Sequence, residues 1–553
     1  MDTTTQNFNL SEVIASIARA VGDREFLVWR DRRLTYRQFD DRATGFARFL
    51  ASAGLGAHTG RETLAGHESG QDHLALYLRN GNEYPEAMVG AYRARVAPFN
   101  CSFRYVEDEL VYLLDNSGAT AIVYNAEFAP RVAAIRDRLP GLRVFIQVAD
   151  GSGNNLIDGA VDYETILSTP EPDGGLPEPS GDDLYILYTG GTTGMPKGVL
   201  WRQHDVFLGA MGGRPFGSPD AFESYDAVAA QASSVQAPGT ALIIAPFMHG
   251  AAQWATFNLA TMSARIVLTD RVDGFDAAET LRLIEREKVG TVAIVGDAMA
   301  RPLIDEIGTG TYDLSSWMVI TNGGAQLSPA VRERLLEALP HALVLDAVGS
   351  SESGIQNSTM VTKGADAPTA VFAPTAESGV VAEDFSRVLQ PGDTGLGWLA
   401  RSGSIPLGYL GDAAKTAKTF PIIDGVRWSV PGDRANLLAD GRIELLGRDS
   451  NTINSGGEKI FVEEVERAIA AHPSVADVLV VGRDSERWGS EVVAIVELVE
   501  GESADAEQLA AVCRTAIASY KIPKEFLFTD AIVRSPAGKA DYRWAKRYAT
   551  GDA

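Results

Sequence analysis

The sequence has few of the features that fix a protein to a membrane or crosslink it outside the cell. Its 553 residues include only two cysteines, Cys101 and Cys513, which lie far apart and match no CxxC or Cys/His metal pattern. We therefore expect two buried free thiols. No apolar segment approaches the roughly 18 residues of a membrane span, and the N-terminus lacks the regions of a signal peptide. These absences predict a cytoplasmic protein without a membrane span.

Positive charge is also scarce. Lysine and arginine number 49 against 73 aspartates and glutamates, which gives a net charge of −24. This balance disfavours nonspecific binding to nucleic acid, and we expect no nucleic-acid partner. An anionic ligand must therefore meet a local group of cations.

Histidines are few, and they form no recognisable metal site. His58 and His67 lie in an irregular stretch from Gly54 to Gln71, and His73 follows it. Their spacing matches neither one face of a helix nor a ligand motif. We interpret all three as solvated loop residues.

The length and the hydrophobic pattern predict a multidomain α/β protein. The chain is several times longer than a common domain, so more than one domain is expected. Strand-like apolar runs such as His73–Leu78 alternate with helical periodicity as far as Leu345, which predicts a large N-terminal domain of mostly parallel sheets covered by helices. Short β-like pieces after Gly354 predict a β-rich subdomain. The residues after Ser450 suffice for a small α+β domain.

One glycine- and threonine-rich stretch, from Tyr188 to Gly198, follows the apolar run that begins at Leu184. Its glycines permit positive φ and close backbone approach, and its hydroxyls and the Lys197 ammonium can face an anion. This chemistry is typical of a nucleoside triphosphate site, although a solvated loop is the alternative for the loop alone. A P-loop is excluded because Pro196 precedes Lys197 and glycine follows it. The candidate ATP contacts are Thr189, Gly190, Gly191, Thr192, Thr193, Gly194 and Lys197.

Polar residues also follow later strands. Glu352 comes after the strand that ends near Leu345, where open parallel sheets place their ligands, and its carboxylate is a candidate ligand for Mg²⁺. Asp433 can accept both hydroxyls of a ribose, and Arg448 can supply a charged fork to the same sugar. Taken alone, the Gly-Asp pair at Asp433 would indicate only a turn. The flat backbone at Gly323, Gly324 and Ala325 would let an adenine ring approach closely.

In this order, these motifs resemble those of the adenylate-forming superfamily, which contains acyl-CoA synthetases, peptide adenylation domains and luciferases. The resemblance covers nearly the whole chain. It implies that Lys539 bridges the substrate carboxylate and the α-phosphate of ATP. Without the resemblance, a single lysine in this turn would be interpreted as a solvated surface residue. It also implies that His249 lines the carboxylate channel, a position in which a packed or capping histidine is the alternative. Thr193, Glu352, His249 and Lys539 are thus the catalytic candidates, and Ser351 joins the cofactor-binding set.

The resemblance further implies a domain arrangement. We expect an N-terminal domain at 1–448 that binds ATP and the acid, a hinge at 449–450, and a mobile lid at 451–553 that carries Lys539. The chain departs from the family pattern at several positions. Gly191 replaces a serine, Ser351 a threonine and Val462 a proline. Val348 stands where an aromatic residue usually stacks on adenine, and Ser450 replaces a charged hinge residue.

The function implied is that of an acid–CoA ligase, which uses ATP, Mg²⁺ and CoA. The carboxylate attacks the α-phosphorus to give an acyl adenylate and pyrophosphate, and the CoA thiol then displaces AMP. The segments 541–544 and 296–302 resemble actinobacterial enzymes that activate branched and sterol-derived acids. Small residues at Gly250, Ala251 and Gly349 predict a wide acid pocket, with tight strand–helix packing as the alternative.

Other functions fit part of the pattern. A medium- or long-chain fatty acyl-CoA ligase, or an acyl-AMP ligase that loads a carrier protein, would use the same first-step residues. A non-catalytic nucleotide sensor is disfavoured because Lys539, Glu352 and Asp433 are all present. The sequence does not distinguish a monomer from a homo-oligomer.

Overall fold

The structure is a computed structural model that describes residues 6–189, 195–215, 217–325, 327–365, 370–393, 395–455, 458–485, 489–534 and 539–551. Within these residues, two eight-stranded sheets form the larger part of the molecule. The strands of the first are, in chain order, β3 (His73–Tyr77), β4 (Ala97–Asn100), β5 (Ala119–Asn125), β6 (Val144–Val148), β7 (Val161–Asp162), β8 (Leu184–Thr189), β9 (Lys197–Arg202) and β19 (Gly408–Tyr409). Strands β3 to β8 run parallel to their neighbours, and β9 and β19 extend the sheet in antiparallel fashion.

The second large sheet has a parallel centre and antiparallel edges. Its strands are β1 (Glu25–Trp29), β2 (Arg32–Thr35), β10 (Thr240–Ile243), β11 (Arg265–Leu268), β12 (Thr291–Ile294), β13 (Val319–Asn322), β14 (Leu343–Ser350) and β15 (Gly354–Thr362). Their order across the sheet is β15-β14-β13-β12-β10-β11-β1-β2.

Antiparallel strands form the β-rich part and the C-terminal part. The five-stranded sheet contains β16 (Val371–Phe372), β17 (Ser378–Ala382), β18 (Leu396–Arg401), β22 (Asp433–Leu437) and β23 (Ile443–Arg448). The short pairs are β20 (Ile422–Ile423) with β21 (Val426–Arg427), and β24 (Ile453–Ser455) with β25 (Glu458–Ile460). In the small C-terminal α+β domain, β26 (Val475–Ser485) and β27 (Gly489–Leu498) pair antiparallel, and β28 (Glu525–Thr529) runs parallel to β27.

Helices cover the sheets, and an apolar core joins the two large sheets through α1, α2, α3 and α9. The α-helices are α1 (Leu10–Val21), α2 (Tyr36–Ser52), α3 (Glu83–Arg93), α4 (Glu107–Asn116), α5 (Ala129–Ile135), α6 (Tyr163–Ile166), α7 (Gln203–Ala210), α8 (Tyr225–Ser234), α9 (Gly250–Thr261), α10 (Ala277–Glu287), α11 (Gly296–Thr309), α12 (Pro329–Ala338), α13 (Ala413–Thr419), α14 (Val462–Ala470), α15 (Ala506–Ala516) and α16 (Tyr542–Thr550). No described helix is both long enough and apolar enough to cross a membrane.

The predicted fold class is therefore confirmed, as are the two buried free thiols, Cys101 and Cys513. Local prediction was wrong in places. The sequence predicts a helix that carries Trp201 and Arg202 after the phosphate loop, but both residues lie on β9, because a short apolar run fits a buried strand as well as a helix. The glycine-rich segment 211–239 is predicted to be irregular, but it contains α8, which Ser224 caps.

His73 also differs from its prediction. It belongs to a fully buried strand, and its Nδ1 hydrogen-bonds to the carbonyl of Ser117. Burial lowers the pKa of its imidazole. The buried strand was predicted correctly, but the prediction of a solvated His73 side chain was wrong.

The close contact between α2 and α3 depends on glycine. A Cβ atom on Gly90 of α3 would lie 2.6 Å from the carbonyl oxygen of Ala43 and 2.9 Å from the ring of Phe46. A methyl group here would overpack the two helices, at a cost of about 1–3 kcal/mol.

We therefore expect Gly90→Ala to lower the thermal midpoint, although alanine is favoured over glycine in helices by about 1 kcal/mol. Gly308→Ala is the matched control, since a Cβ atom there meets nothing within 4 Å, and this change should leave the midpoint equal or higher. Calorimetry of both variants tests the contact. An unchanged midpoint in Gly90→Ala would contradict it.

Candidate active site

The predicted site residues gather where parallel strands end. β8 ends at Thr189, β10 leads into a segment that ends at His249, and β13 leads into Gly323. The carboxyl ends of parallel strands form the usual ligand-binding edge of such sheets. Glu352 lies beyond β14, in the turn to β15.

Two buried asparagines join the two sheets at this edge. Asn80, which follows β3, donates its amide to the carbonyl of Ala245 (3.2 Å) and accepts from the backbone N–H of Phe247 (2.8 Å). Asn100, at the end of β4, donates to the carbonyls of Met248 (2.7 Å) and Tyr188 (2.9 Å). The segment before His249 is thus held by side chains of the opposite sheet.

The β8–β9 hairpin places Lys197 opposite Thr189. The Nζ atom of Lys197 lies 2.6 Å from Oδ2 of Asp412. Asp412 also caps α13, because its Oδ1 accepts from the backbone N–H of Lys415 (2.9 Å). Five predicted ATP contacts lie outside the described residues, namely Gly190, Gly191, Thr192, Thr193 and Gly194.

Glu352 is held in its turn by several contacts. Its Oε1 accepts from the hydroxyl of the buried Tyr409 (2.9 Å), and its carbonyl accepts from Oγ of Ser429 (2.5 Å). The neighbouring carbonyl of Ser351 accepts from Nε1 of Trp201 (2.9 Å). Burial, together with the Glu352 charge, raises the pKa of Tyr409, which therefore remains a donor.

Asp433 and Arg448 are paired across β22 and β23. They lie opposite each other in register, and Nε of Arg448 is 2.9 Å from Oδ1 of Asp433. The Asp433 charge raises the pKa of Arg448, while burial raises the pKa of Asp433 against the effect of Arg448. Both residues are within electrostatic reach of Glu352, which contributes to both shifts.

The backbone after β13 leaves open space. A Cβ atom on Gly323 would meet nothing within 4 Å, and one on Gly324 would meet only Val295 at 3.8 Å. Gly324 also has a φ of +86°, which favours glycine. The side chain of Asn322 fixes this turn by donating to the carbonyl of Ala325 (3.1 Å). A flat ring can therefore approach this backbone.

His249 precedes α9 but does not cap it with its side chain. Its buried Nε2 has no hydrogen-bond partner among the described residues. Burial, assisted by the charges of Lys539 and Arg104, lowers the pKa of His249 to about 4. The imidazole is therefore neutral near pH 7 and presents an unsatisfied polar atom.

Lys539 reaches this group from the C-terminal domain. Desolvation and the nearby Arg448 charge lower its pKa, and the Glu352 charge opposes them. Since Lys539 in turn lowers the pKa of His249, Lys539 is within electrostatic reach of Glu352, Arg448 and His249. The structure thus brings Lys539 of the C-terminal domain close to predicted site residues of the N-terminal part.

Sequence reasoning missed several residues of the site. Tyr409 and Asp412 contact Glu352 and Lys197 from a segment more than fifty residues away in sequence. Lys415 lies with its Nζ 4.8 Å from the centre of the Tyr409 ring. The one usable signal was Asp412, because an aspartate directly before a short helical pattern is a typical N-cap. Asn80 and Asn100 gave no signal at all.

The prediction that small residues leave the pocket walls bare is wrong at two positions. A Cβ atom on Gly250 would lie 2.7 Å from the Leu187 side chain, and one on Gly349 would lie 2.2 Å from the carbonyl oxygen of Gly354. Tight packing explains both glycines. Ala251, in contrast, is exposed.

No group of three His, Cys, Asp or Glu side chains suited to a metal occurs in the described part of the chain. A cation at Glu352 would therefore depend on ligand oxygens and water. Mg²⁺ is commonly held in this way, by one or two carboxylates and substrate phosphates.

Comparison with known proteins identifies the family. The model of the AMP-binding enzyme family matches residues 14–410, and that of the AMP-binding enzyme C-terminal domain matches residues 464–539. The medium-chain acyl-CoA ligase Mig of Mycobacterium avium is 56% identical, over 99% of this chain and 100% of that protein. The 3-oxocholest-4-en-26-oate–CoA ligase of Rhodococcus rhodochrous is 37% identical, over 97% and 95% of the two chains.

A solved structure shares the fold at low identity. The anthranilate CoA ligase AuaEII in complex with anthranoyl-AMP superposes with a TM-score of 0.80 at 19% identity, over 98% of each chain. With family models that match most of the chain and relatives of such identity, the resemblance read from the motifs is confirmed. The chain belongs to the AMP-binding, adenylate-forming enzyme family.

Proposed function

We propose that the protein is an AMP-forming acid–CoA ligase that converts a carboxylic acid, ATP and CoA into an acyl-CoA, AMP and pyrophosphate. One observation carries this proposal. Lys539 of the C-terminal domain is within electrostatic reach of Glu352, Arg448 and His249 of the N-terminal part. A cation so placed can meet a carboxylate and a phosphate together.

In the first half-reaction, the acid binds beside His249 and ATP binds along the ends of β8, β13 and β14. Asp433 and Arg448 hold the ribose, and the backbone at Gly323 and Gly324 receives the adenine. The neutral His249 orients the carboxylate by hydrogen bonding and takes no part as an acid, because its pKa is about 4. Lys539 stabilises the charge that develops as the carboxylate attacks the α-phosphorus.

Magnesium fits this site through the carboxylate of Glu352, which Tyr409 orients through its hydroxyl. When bound, the ion would neutralise phosphate charge. The phosphate loop contributes Thr189 and Lys197 and, by resemblance, Gly190, Gly191, Thr192, Thr193 and Gly194. Ser351 contributes a hydroxyl next to Glu352.

The second half-reaction requires CoA to reach the adenylate, and we propose that the C-terminal domain rotates about residues 449–450. In this structure, the backbone N–H of Arg448 donates to Oε1 of Glu463 (3.3 Å), and Arg467 donates to the carbonyl of Leu445 (3.1 Å). These two α14 residues, one helical turn apart, attach the domain to β23. Rotation would break both bonds and withdraw Lys539.

The whole proposal is tested by incubating the protein with ATP, CoA and a panel of acids. Acid-dependent release of AMP and pyrophosphate with loss of free CoA supports it. Pyrophosphate release without consumption of CoA would instead indicate an acyl-AMP ligase that loads a carrier protein. Absence of acid-dependent pyrophosphate release from a folded protein would contradict both.

Lys539→Ala should lower the rate of adenylation about 10²-fold or more, because it removes a charge needed as the α-phosphate is attacked. Premade acyl adenylate with CoA should restore thioester formation, since the second step does not use this charge. The two rates are measured separately by pyrophosphate release and thioester formation. Lys546→Ala, which removes a charge from the exposed side of the same domain, is the control. Failure of the premade adenylate to restore turnover would disprove the role.

Ser450→Pro should impair thioester formation more than adenylation. Proline fixes φ near −65° and restricts the residue before it, so it limits rotation at the proposed hinge. Single-turnover measurements of each half-reaction test this expectation. An equal loss in both would place the hinge elsewhere.

Two relatives differ in the acid for which they are named. The relative that is 56% identical is named for medium-chain acids, and another, 37% identical, for a steroid acid. Because packing accounts for Gly250 and Gly349, we propose medium-chain fatty acids as the preferred class. Steroid side-chain acids are the second candidate, on account of the segments at 296–302 and 541–544.

Across a panel, we expect kcat/KM for a medium-chain acid to exceed that for 3-oxocholest-4-en-26-oate. Ala251→Phe, at an exposed position close to His249, should lower kcat/KM for the steroid acid about tenfold while sparing a short linear acid. Unchanged ATP binding is the control for correct folding. A wild-type preference for the steroid acid would reverse the order proposed.

A further inference from the structure

Lys415 is the feature of the site that the proposed reaction leaves without a task. It lies in the first turn of α13, shortly after the strand β19, and its ammonium covers one face of the buried Tyr409 ring at 4.8 Å. The hydroxyl of the same ring donates to Glu352. Lys415 is thus one side chain away from the candidate magnesium ligand.

Two other cations nearby are already paired with carboxylates. Lys197 lies 2.6 Å from Asp412, and Arg448 lies 2.9 Å from Asp433. For Lys415, by contrast, no ion pair with a carboxylate is formed among residues that the structure describes. The Oδ1 atom of Asp412 accepts a hydrogen bond from the backbone N–H of Lys415, and its Oδ2 atom accepts one from Nζ of Lys197.

This arrangement leaves the charge of a partly buried ammonium only partly compensated. Desolvation and the positive charge of Lys197 lower the pKa of Lys415, while Glu352 and Asp412 oppose the shift. Withdrawing a cation from water without an anionic partner is unfavourable. A face-on contact with a tyrosine ring returns only about 0.5–1 kcal/mol at exposed sites. A polyanionic ligand would compensate the charge far better.

The position of Lys415 also indicates which part of a nucleotide it would contact. Lys197 begins β9, directly after the loop proposed to hold the phosphates, and Lys415 lies within electrostatic reach of Lys197, Glu352 and Arg448. Resting on the proposed function, we infer that Lys415 binds the β- and γ-phosphates of ATP and the pyrophosphate that leaves. It would stabilise the charge that accumulates on pyrophosphate as the bond to the α-phosphorus breaks.

The chain offers a matched control on the same helix. Lys418 is exposed and lies one turn after Lys415. Lys415→Met keeps most of the aliphatic stem over Tyr409 and removes only the charge, whereas Lys415→Arg retains it. The comparison of these variants separates a charge effect from a packing effect.

The test combines binding and kinetics. By calorimetry without acid, Lys415→Met should weaken ATP binding about tenfold and leave AMP binding unchanged, because AMP lacks the β- and γ-phosphates. The concentration of pyrophosphate that inhibits adenylation should rise in parallel. Thioester formation from premade acyl adenylate should be unaffected, Lys415→Arg should recover most ATP affinity, and Lys418→Met should match the wild type.

Three outcomes would overturn the inference: wild-type ATP affinity in Lys415→Met, equal loss of ATP and AMP binding, or the same loss in Lys418→Met. Equal loss for both nucleotides would indicate that Lys415 only supports Tyr409. If the wild-type protein binds ATP but releases no acid-dependent pyrophosphate, the proposed ligase function fails. In that case, the ATP and AMP affinities of the Lys415 variants still test the role of Lys415.

Discussion

The hydrogen bonds of Asn80 and Asn100 are the contacts on which the rest of the site depends. Each amide belongs to one sheet and binds backbone groups of the segment that follows a strand of the other. Asn100 also accepts from and donates to the backbone of Tyr188, immediately before the phosphate loop. Because these buried amides make several hydrogen bonds in a low-dielectric environment, they fix the spacing between His249 and the end of β8. Two separate sheets thereby form one ligand-binding edge.

Electrostatics at this edge differ from those of the protein as a whole. The chain carries a net charge of −24, yet the site collects Lys197, Lys415, Arg448 and Lys539. Two of these cations are held by carboxylates, Lys197 by Asp412 and Arg448 by Asp433. Groups held in this way need little reorganisation when a phosphate arrives, which is the condition for effective electrostatic catalysis.

The sequence predicted the parts of the site that consist of short contiguous motifs. Thr189, Lys197, Glu352 and the Asp433–Arg448 pair all belong to such motifs, at the beginning or the end of a strand or in the turn after one. Tyr409 and Lys415 were missed because their contacts are made across the fold, where no local spacing reports them. The glycines at 250 and 349 were misread since a missing side chain looks the same in a sequence whether it leaves room for a substrate or for a neighbouring atom.

The pairing of β19 with β9 has a consequence for biosynthesis. Lys197 and Asp412 are 215 residues apart in sequence, and β19 is made only shortly before Asp412. At about 5–20 residues per second, the ribosome needs roughly 10–40 s to cover that distance. Throughout this interval the outer edge of β9 has no partner strand, and an unpaired edge is a template for association with other chains. A nascent chain of this protein therefore exposes an aggregation-prone edge late into synthesis.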